Sequence, residues 1–469
     1  MAFIRHKKIY NNTYAYEVWK VKDENGIWRQ RSKYLGVVTD FDTGAYEKKR
    51  AKREKQELTV LDYGDSYFIN SVVSSLPLFA VLKTVFGSLF ETLMVLAFHR
   101  ICGGQAMRHA QDWYEGNFIN QLFPNADVTS QNISRVLSYL GEESVQRAFF
   151  GTYIPLVAPC ECGVVIDSTG LPNEINMPIT DWGYHSGGVE FETRLILAVN
   201  RENEMPLYFR YVAGNIGDVT TLANTIKEMK QNGIETSSAL VDAGYYSQSN
   251  LKMLFAANIT FLIRMPSNRV VYKEIIAQNA DIESPVYAVK HDKRGLFVKE
   301  VAIRLYDNDA FAYLVLDPER RGKEISKLVS QATENGSELE KLDFCNCGKM
   351  VLLSSEKLNR EDVVPLYHTR QIAERMFGIA KDDLNILPLR THSEPNFKGF
   401  MLLIFISLIM TCAIKSRLGK KISIEQAVSA LKNLKCKVYD DEVIPNEVTK
   451  KQRVIFETAD VVVPKVCGV

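Results

Sequence analysis

The first forty residues alternate apolar and polar positions with a period of two. "TYAYEVWKVK" and "IWRQRSKYLGVV" read as strands around "DENG", whose Asn25-Gly26 suits a tight hairpin turn, so residues 1–40 predict a small antiparallel sheet. From 61 to 155 the spacing lengthens to that of helices, in "LFAVLKTVFGSLFETLMVLAFHRI" and "QNISRVLSYLGEESVQRAFF". "DVTSQNISRVLSYL" opens with Thr129 and Ser130 as candidate caps and leaves Arg135 exposed. Such short helices suit a DNA-binding module, and an ordinary helical bundle equally well.

The pattern then changes to alternating strands and helices. "CGVVIDSTG" is a β-branched run ending in Asp167; "TRLILAVN" and "PLYFRYVAG" are further strands. A helix over 219–232 precedes a second buried strand ending in Asp242, and a helix over 247–257 leads into "ITFLIRM". That order predicts a mixed α/β core. Between 266 and 353 come β-rich pieces with a helix near 323–342, followed by a charged helix and an apolar one over 397–418.

Composition adds bounds. A chain of 469 residues exceeds one compact core and suggests two to four domains. Net charge is only +1, yet residues 1–60 hold 14 Lys or Arg against 8 Asp or Glu, so the remaining residues are net negative. "EKKRAKREKQE" (47–57), a predicted basic helix, suits either a polyanion contact or a solvated face. The start, "MAFIRHKKIY", has no apolar run long enough for a signal peptide, and "FMLLIFISLIMTCAI" (400–414) is shorter than the roughly 20 residues that span a bilayer, so it is expected to be a core helix without a membrane role. The pairs Cys160/Cys162 and Cys345/Cys347 have tighter spacing than structural zinc sites, and the eight cysteines are expected to be reduced thiols of a cytoplasmic protein.

The charged helix, "PLYHTRQIAERMFGIAKDDLN" (365–385), carries the chemistry. On a straight α-helix Tyr367, Arg370, Glu374 and Lys381 fall within about 60° of one another. Leu366, Ala373, Phe377 and Ala380 form the adjoining apolar stripe. The polar stripe suits a cleft, or a solvated edge with an Arg370–Glu374 pair. Asp167 and Asp242 each end a strand, where side chains enter a cleft. Glu374 would be the third carboxylate there. Two unit charges 4 Å apart repel by about 4 kcal/mol at an effective dielectric near 20, so three converging anions require cations. Hard oxygen ligands of this kind suit Mg²⁺ or Mn²⁺, and two such metal ions side by side can activate a water or 3′-hydroxyl and stabilise the leaving oxygen of a phosphodiester.

Strand–Asp167, strand–Asp242, a β-rich insertion and "YHTRQIAERMFGIAK" together resemble the DDE transposases of bacterial insertion sequences, in the subgroup marked by Y-x2-R-x3-E-x6-K. "VAGNIGDVTTL" (212–222) and "VDAGYYSQSN" resemble two further segments of that family, and the likeness covers about 160–415. One departure is Gly187-Gly188, where relatives often carry a basic residue, which leaves the role of His185 open. The resemblance implies an RNase H-like core in which Asp167, Asp242 and Glu374 hold two Mg²⁺ ions, with Mn²⁺ as a substitute. It implies that Tyr367, Arg370 and Lys381 contact DNA beside the scissile phosphate, as their chemistry allows.

The expected organisation is a β-hairpin and basic helix touching DNA (1–60), a helical DNA-binding region (61–155), the first part of the core (156–265), the β-rich insertion (266–353), the second part with the catalytic helix (354–435), and a terminal segment of unassigned role (436–469). Expected partners are double-stranded DNA, as element ends and target, and a second copy in a synaptic homodimer. The expected location is the cytoplasm, at the nucleoid. Two other readings are a nuclease on the same core without strand transfer and a domesticated DNA-binding protein. A metabolic enzyme is disfavoured: the chain has no G-x-G-x-x-G, G-x4-G-K-[ST], H-E-x-x-H or G-x-S-x-G.

Overall fold

The computed structural model describes residues 2–9, 12–22, 26–40, 43–47, 57–104, 106–185, 188–335, 342–391, 393–439, 442–463 and 467–468. The chain forms two compact units: Met1–Thr59 with Lys437–Val443 and Gly468–Val469, and Val60–Cys436 with Ile444–Cys467.

In the first unit, β1 (Phe3–Ile9), β2 (Asn12–Lys22), β3 (Trp28–Val38) and β4 (Tyr46–Glu47) form an antiparallel sheet in that order. Lys22 faces Trp28 across the β2–β3 hairpin, and Gly26 in the turn adopts φ +77°, which glycine tolerates without strain. Asn25 and the basic stretch 48–56 lie outside the described residues. Strand β5 (Glu57–Asp62) follows.

Among the described residues seven α-helices open the second unit: α1 (Gly64–Val73), α2 (Pro77–Phe86), α3 (Phe90–Ile101), α4 (Ala110–Gly116), α5 (Ile119–Leu122), α6 (Ser130–Leu140) and α7 (Glu143–Val157). Helix α3 is buried along nearly its whole length. Helix α6 is two-faced: Ile133, Val136, Leu137 and Leu140 are buried, while Ser130, Ser134, Arg135 and Ser138 are exposed. Its expected cap is not made. Thr129 occupies the N-cap position, but its hydroxyl donates to Asp127 instead.

The core strands are β6 (Cys162–Pro172), β7 (Asp181–His185), β8 (Gly188–Asn200), β9 (Pro206–Ala213), β10 (Thr236–Val241) and β11 (Thr260–Met265). Strands β9, β8 and β6 pair antiparallel; β6, β10 and β11 pair parallel. Helices α8 (Asp218–Gln231) and α9 (Gln248–Ala256) make the crossovers into β10 and β11. This strand order, with its switch from antiparallel to parallel at β6, is the RNase H-like arrangement. Strand β8 divides its outer edge, pairing β7 through its first half and β9 through its second.

The β-rich stretch extends this same sheet. β12 (Ala288–His291), β13 (Arg294–Leu305), β14 (Asn308–Leu316) and β15 (Lys349–Ser354) add on beyond β11, giving ten strands in all among the described residues. The stretch also holds α10 (Val270–Gln278), which the sequence pattern did not reveal, and α11 (Pro318–Glu334). Helix α11 starts earlier than expected because Asp317 accepts from the Arg320 N–H and Pro318 is preset for the first turn.

After α12 (Arg360–His368) and α13 (Gln371–Gly378) comes α14 (Glu394–Leu418). It is long and apolar enough to cross a membrane, but 83% of its most apolar window is buried inside the protein. Being apolar all round, it packs on several sides at once. Phe405 touches Phe149, Phe150 and Tyr153 of α7 and Phe209 of β9, with ring centroids 5.0–6.4 Å apart. Two buried hydroxyls in its middle bond back onto the helix: Ser407 donates to the Leu403 carbonyl and Thr411 to that of Ser407. Helix α15 (Ile424–Lys432) follows, and the terminal segment contributes α16 (Lys450–Thr458); each is opened by a capping box.

Candidate active site

Parallel pairing sets Val241 opposite Ile166, so the next residues, Asp167 and Asp242, stand level on neighbouring strands. Asp167 does not end its strand, contrary to the sequence expectation. Strand β6 runs on to Pro172 because β8 stays paired with it, whereas β10 stops at Val241. The notch lies where a parallel neighbour ends and an antiparallel one continues.

The charged segment 365–385 is not one straight helix. It comprises α12, α13 and a π-helical turn, Ile379–Asp383. Pro365 removes an amide donor from α12, and the Thr369 hydroxyl takes the Leu366 carbonyl. Tight bonds then follow, from the Arg370 N–H to Tyr367 and from the Ala373 N–H to Arg370. The register changes re-aim each side chain, so angles from an ideal helix do not apply. The apolar stripe holds at Ala373, Phe377 and Ala380, which are buried.

The segment delivers Arg370 between the three carboxylates. One nitrogen, Nη1, lies 3.1 Å from Asp167 Oδ2 and 3.9 Å from Asp242 Oδ2; Nη2 lies 2.7 Å from Glu374 Oε1. The i, i+4 pair expected of a solvated edge therefore exists, but as one arm of a four-group cluster. Tyr367 is buried, and its hydroxyl donates to Asp242 Oδ1 at 2.8 Å. Lys381 donates to Thr169 Oγ1 at 2.7 Å, two residues beyond Asp167.

Burial pushes the Asp167 carboxyl up to about 6 against Arg370 and the Ser168 N–H, with Asp242 and Glu374 adding to the rise. Burial works against the Arg370 cation, but Asp242 and Asp167 outweigh it and raise its pKa. Burial lowers the Lys381 ammonium, opposed by Glu192 and Asp382. Among the described residues no three His, Cys, Asp or Glu side chains close into one metal-ligand shell. The guanidinium takes the central place instead. A cation already sits among three carboxylates, whose hard oxygens are of the donor type that divalent ions take. The described cysteines are free, with Cys160 and Cys345 exposed and Cys162 and Cys347 buried. The His185 side chain and residues 186–187 lie outside the described residues.

The profile of the transposase DDE-domain family matches residues 158–410, more than half of the chain. The chain belongs to the DDE transposase family. No curated protein matches it. Among solved structures it is similar to the synaptic complex of piggyBac transposase with hairpin DNA, at 10% identity over 78% of this chain and 75% of that one, with a TM-score of 0.42.

Beside the three carboxylates this DDE domain holds a second ionic cluster that sequence reasoning missed. Asp218, at the start of α8, accepts from the Ser168 hydroxyl at 2.6 Å and from Arg194 Nη1 at 3.0 Å. Its other oxygen faces Gly244, where a Cβ would lie 2.9 Å away. Asp218 thus bridges the residue after Asp167 and the turn after Asp242. Arg194 also reaches the fully buried Glu192, 3.4 Å away. Gly170, Gly183 and Gly214 close around the Glu192 side chain, leaving no room for a Cβ. Burial lowers Arg194, but Asp218 and Glu192 prevail and raise its pKa. The available signal was charged residues in the strand "VEFETR" and the Asp of "VAGNIGDVTTL"; neither pattern indicates what it faces.

Proposed function

We propose that the chain is an insertion-sequence transposase that binds the terminal inverted repeats of its element, cuts there and joins the freed 3′-hydroxyls to target DNA. The observation that carries this reading is the convergence of Asp167, Asp242 and Glu374, from three distant parts of the chain, on one guanidinium. The three carboxylates are the residues that would hold two Mg²⁺ ions, or Mn²⁺ in their place. Bound there, the ions would supply an activated hydroxyl and charge compensation for the leaving oxygen.

The protein's own side chains divide the remaining work. Arg370 has a planar fork suited to a phosphate and Lys381 a point charge, and we assign both to the DNA beside the scissile bond. Tyr367, buried with its hydroxyl on Asp242, is assigned first to holding that carboxylate, with DNA contact limited to its hydroxyl edge. Asp218, itself paired with Arg194, holds Ser168 beside Asp167. Residues 1–155 are assigned to recognition of the ends. Double-stranded DNA and a second copy bridging two ends are the proposed partners, and the cytoplasmic nucleoid is the proposed location.

The test incubates purified protein and Mg²⁺ with a plasmid carrying the native element ends. Cutting at the ends and joining to target should both appear, and both should vanish in Asp167→Asn, Asp242→Asn and Glu374→Gln while end binding persists. Cutting without joining would select the nuclease reading; specific binding without cutting would select a DNA-binding protein.

A further inference from the structure

A groove of about 950 Å³, lined by none of the carboxylate-site residues, lies between the end of α3, the start of α6 and the loop 385–391 that leads into α14. Three arginines line it: Arg100, Arg108 and Arg390. None of the described residues lining it is acidic. Arg100 is only 4% exposed, and its Nη2 donates to the Gly104 carbonyl at 2.9 Å, which fixes the guanidinium in place. Arg108 and Arg390 are exposed, so a buried cation is flanked by two that solvent and ligand can reach.

Thr391 also lines the groove. It is 7% exposed, and its hydroxyl has no hydrogen-bond partner. A buried hydroxyl without a partner costs free energy that a hydrogen-bonding ligand or water would recover. Burial, followed by the like charge of Arg390, pulls the Arg100 pKa down to about 10. The Ser130 hydroxyl adds another polar group at the rim.

We propose that this groove is a second DNA-backbone site, in which Arg100, Arg108 and Arg390 hold consecutive phosphodiesters and Thr391 donates to one of them. A groove of this size exceeds what a single inorganic phosphate fills, and its walls include both cations and apolar side chains such as Leu137 and Phe400. A nucleic-acid backbone presents both charged phosphates and sugars to such a surface. The proposal rests on the DNA-transposase reading and adds a contact outside the carboxylate cleft.

The test measures binding of the full chain to a labelled duplex carrying one element end, over a range of salt concentrations, for wild type, Arg108→Gln/Arg390→Gln and Thr391→Val. Loss of two phosphate contacts should reduce the salt slope by about 1.8, at about 0.9 per contact. Thr391→Val should melt at or above wild type, because it removes an unpartnered hydroxyl. It should nevertheless bind about fivefold more weakly, the loss of one hydrogen bond of about 1 kcal/mol. A merely structural threonine would not give opposite signs. Unchanged slope and affinity in both variants, with wild type bound normally, would overturn the groove and leave the transposase reading standing. Absence of any duplex binding by wild type would instead sink both. Inorganic phosphate is the second probe: if it raises the wild-type melting temperature through Arg108 and Arg390 while the duplex slope is insensitive to them, the site is one for a free anion and the backbone assignment fails.

Discussion

Replacing Arg370 by alanine isolates what the guanidinium does among the carboxylates. In the structure its charge serves Asp167, Asp242 and Glu374 together, at 3.1, 3.9 and 2.7 Å. The Asp242 and Glu374 side chains are 36% and 48% exposed, so solvent screens both and each contributes only a few tenths of a kcal/mol. The Asp167 arm differs, with both partners largely buried, at 20% and 14% exposure. Breaking a fully buried pair costs about 3–5 kcal/mol; the residual exposure here places the expected loss nearer 2–3 kcal/mol. The assay is urea unfolding of the full chain in chelator, followed by tryptophan fluorescence, and repeated with Mg²⁺ or Mn²⁺. Arg370→Ala should unfold at lower urea in chelator and regain more stability from the divalent ion than wild type does, since the ion then compensates three uncovered anions. Arg370→Lys should fall between, because an ammonium cannot fork onto two carboxylates. An alanine variant that unfolds with wild type and ignores the metal would refute the reasoning and return Arg370 to a solvated i, i+4 pair.

Three further outcomes are expected. Asp218→Asn should slow end cleavage at least tenfold with little change in DNA affinity, because it removes the carboxylate charge that holds Ser168 and Arg194 rather than a DNA contact; a fall in affinity with an unchanged cleavage rate on bound DNA would contradict this. Burial, then Arg100 and His109, pulls the His99 imidazole down to about 3, so only the unfolded chain takes up its proton between about pH 6.5 and 3. Stability from this group is therefore complete above pH 6.5 and falls on acidification by up to about 1.4 kcal/mol per pH unit; melting followed from pH 7 to 5 should show less acid sensitivity in His99→Gln. Gly399→Ala should destabilise by about 2 kcal/mol or more, because a Cβ there meets the Leu137 carbonyl where α6 crosses α14; a wild-type melting temperature would show that the two helices can separate without loss.

Local pattern determined much of this protein. The hairpin strands around Gly26, the helices after β9 and β10, and the all-round apolar α14 follow from residue periods of 2 and 3.6 and from burial on every side. The spacing of Tyr367, Arg370, Glu374 and Lys381, with Asp167 and Asp242 each after a β-branched run, made the DDE resemblance legible before any fold was seen. Helix α10 stayed hidden because "VVYKEII" is rich in β-branched residues, and its helical state is set by packing of Tyr272, Ile275 and Ile276. The three-part break of the 365–385 segment was hidden as well, since it depends on which carbonyl Thr369 takes and on a π turn that no residue type announces. Tertiary structure alone decided the electrostatics. That Asp167 and Asp242 stand level follows from strand register, which a sequence does not state. That Arg370 faces three carboxylates, Asp218 faces Ser168, and Arg100 shares a groove with Arg390 depends on contacts between residues tens to hundreds of positions apart. A charge's energy depends on its distance to other charges and on its burial, and both are properties of the folded chain.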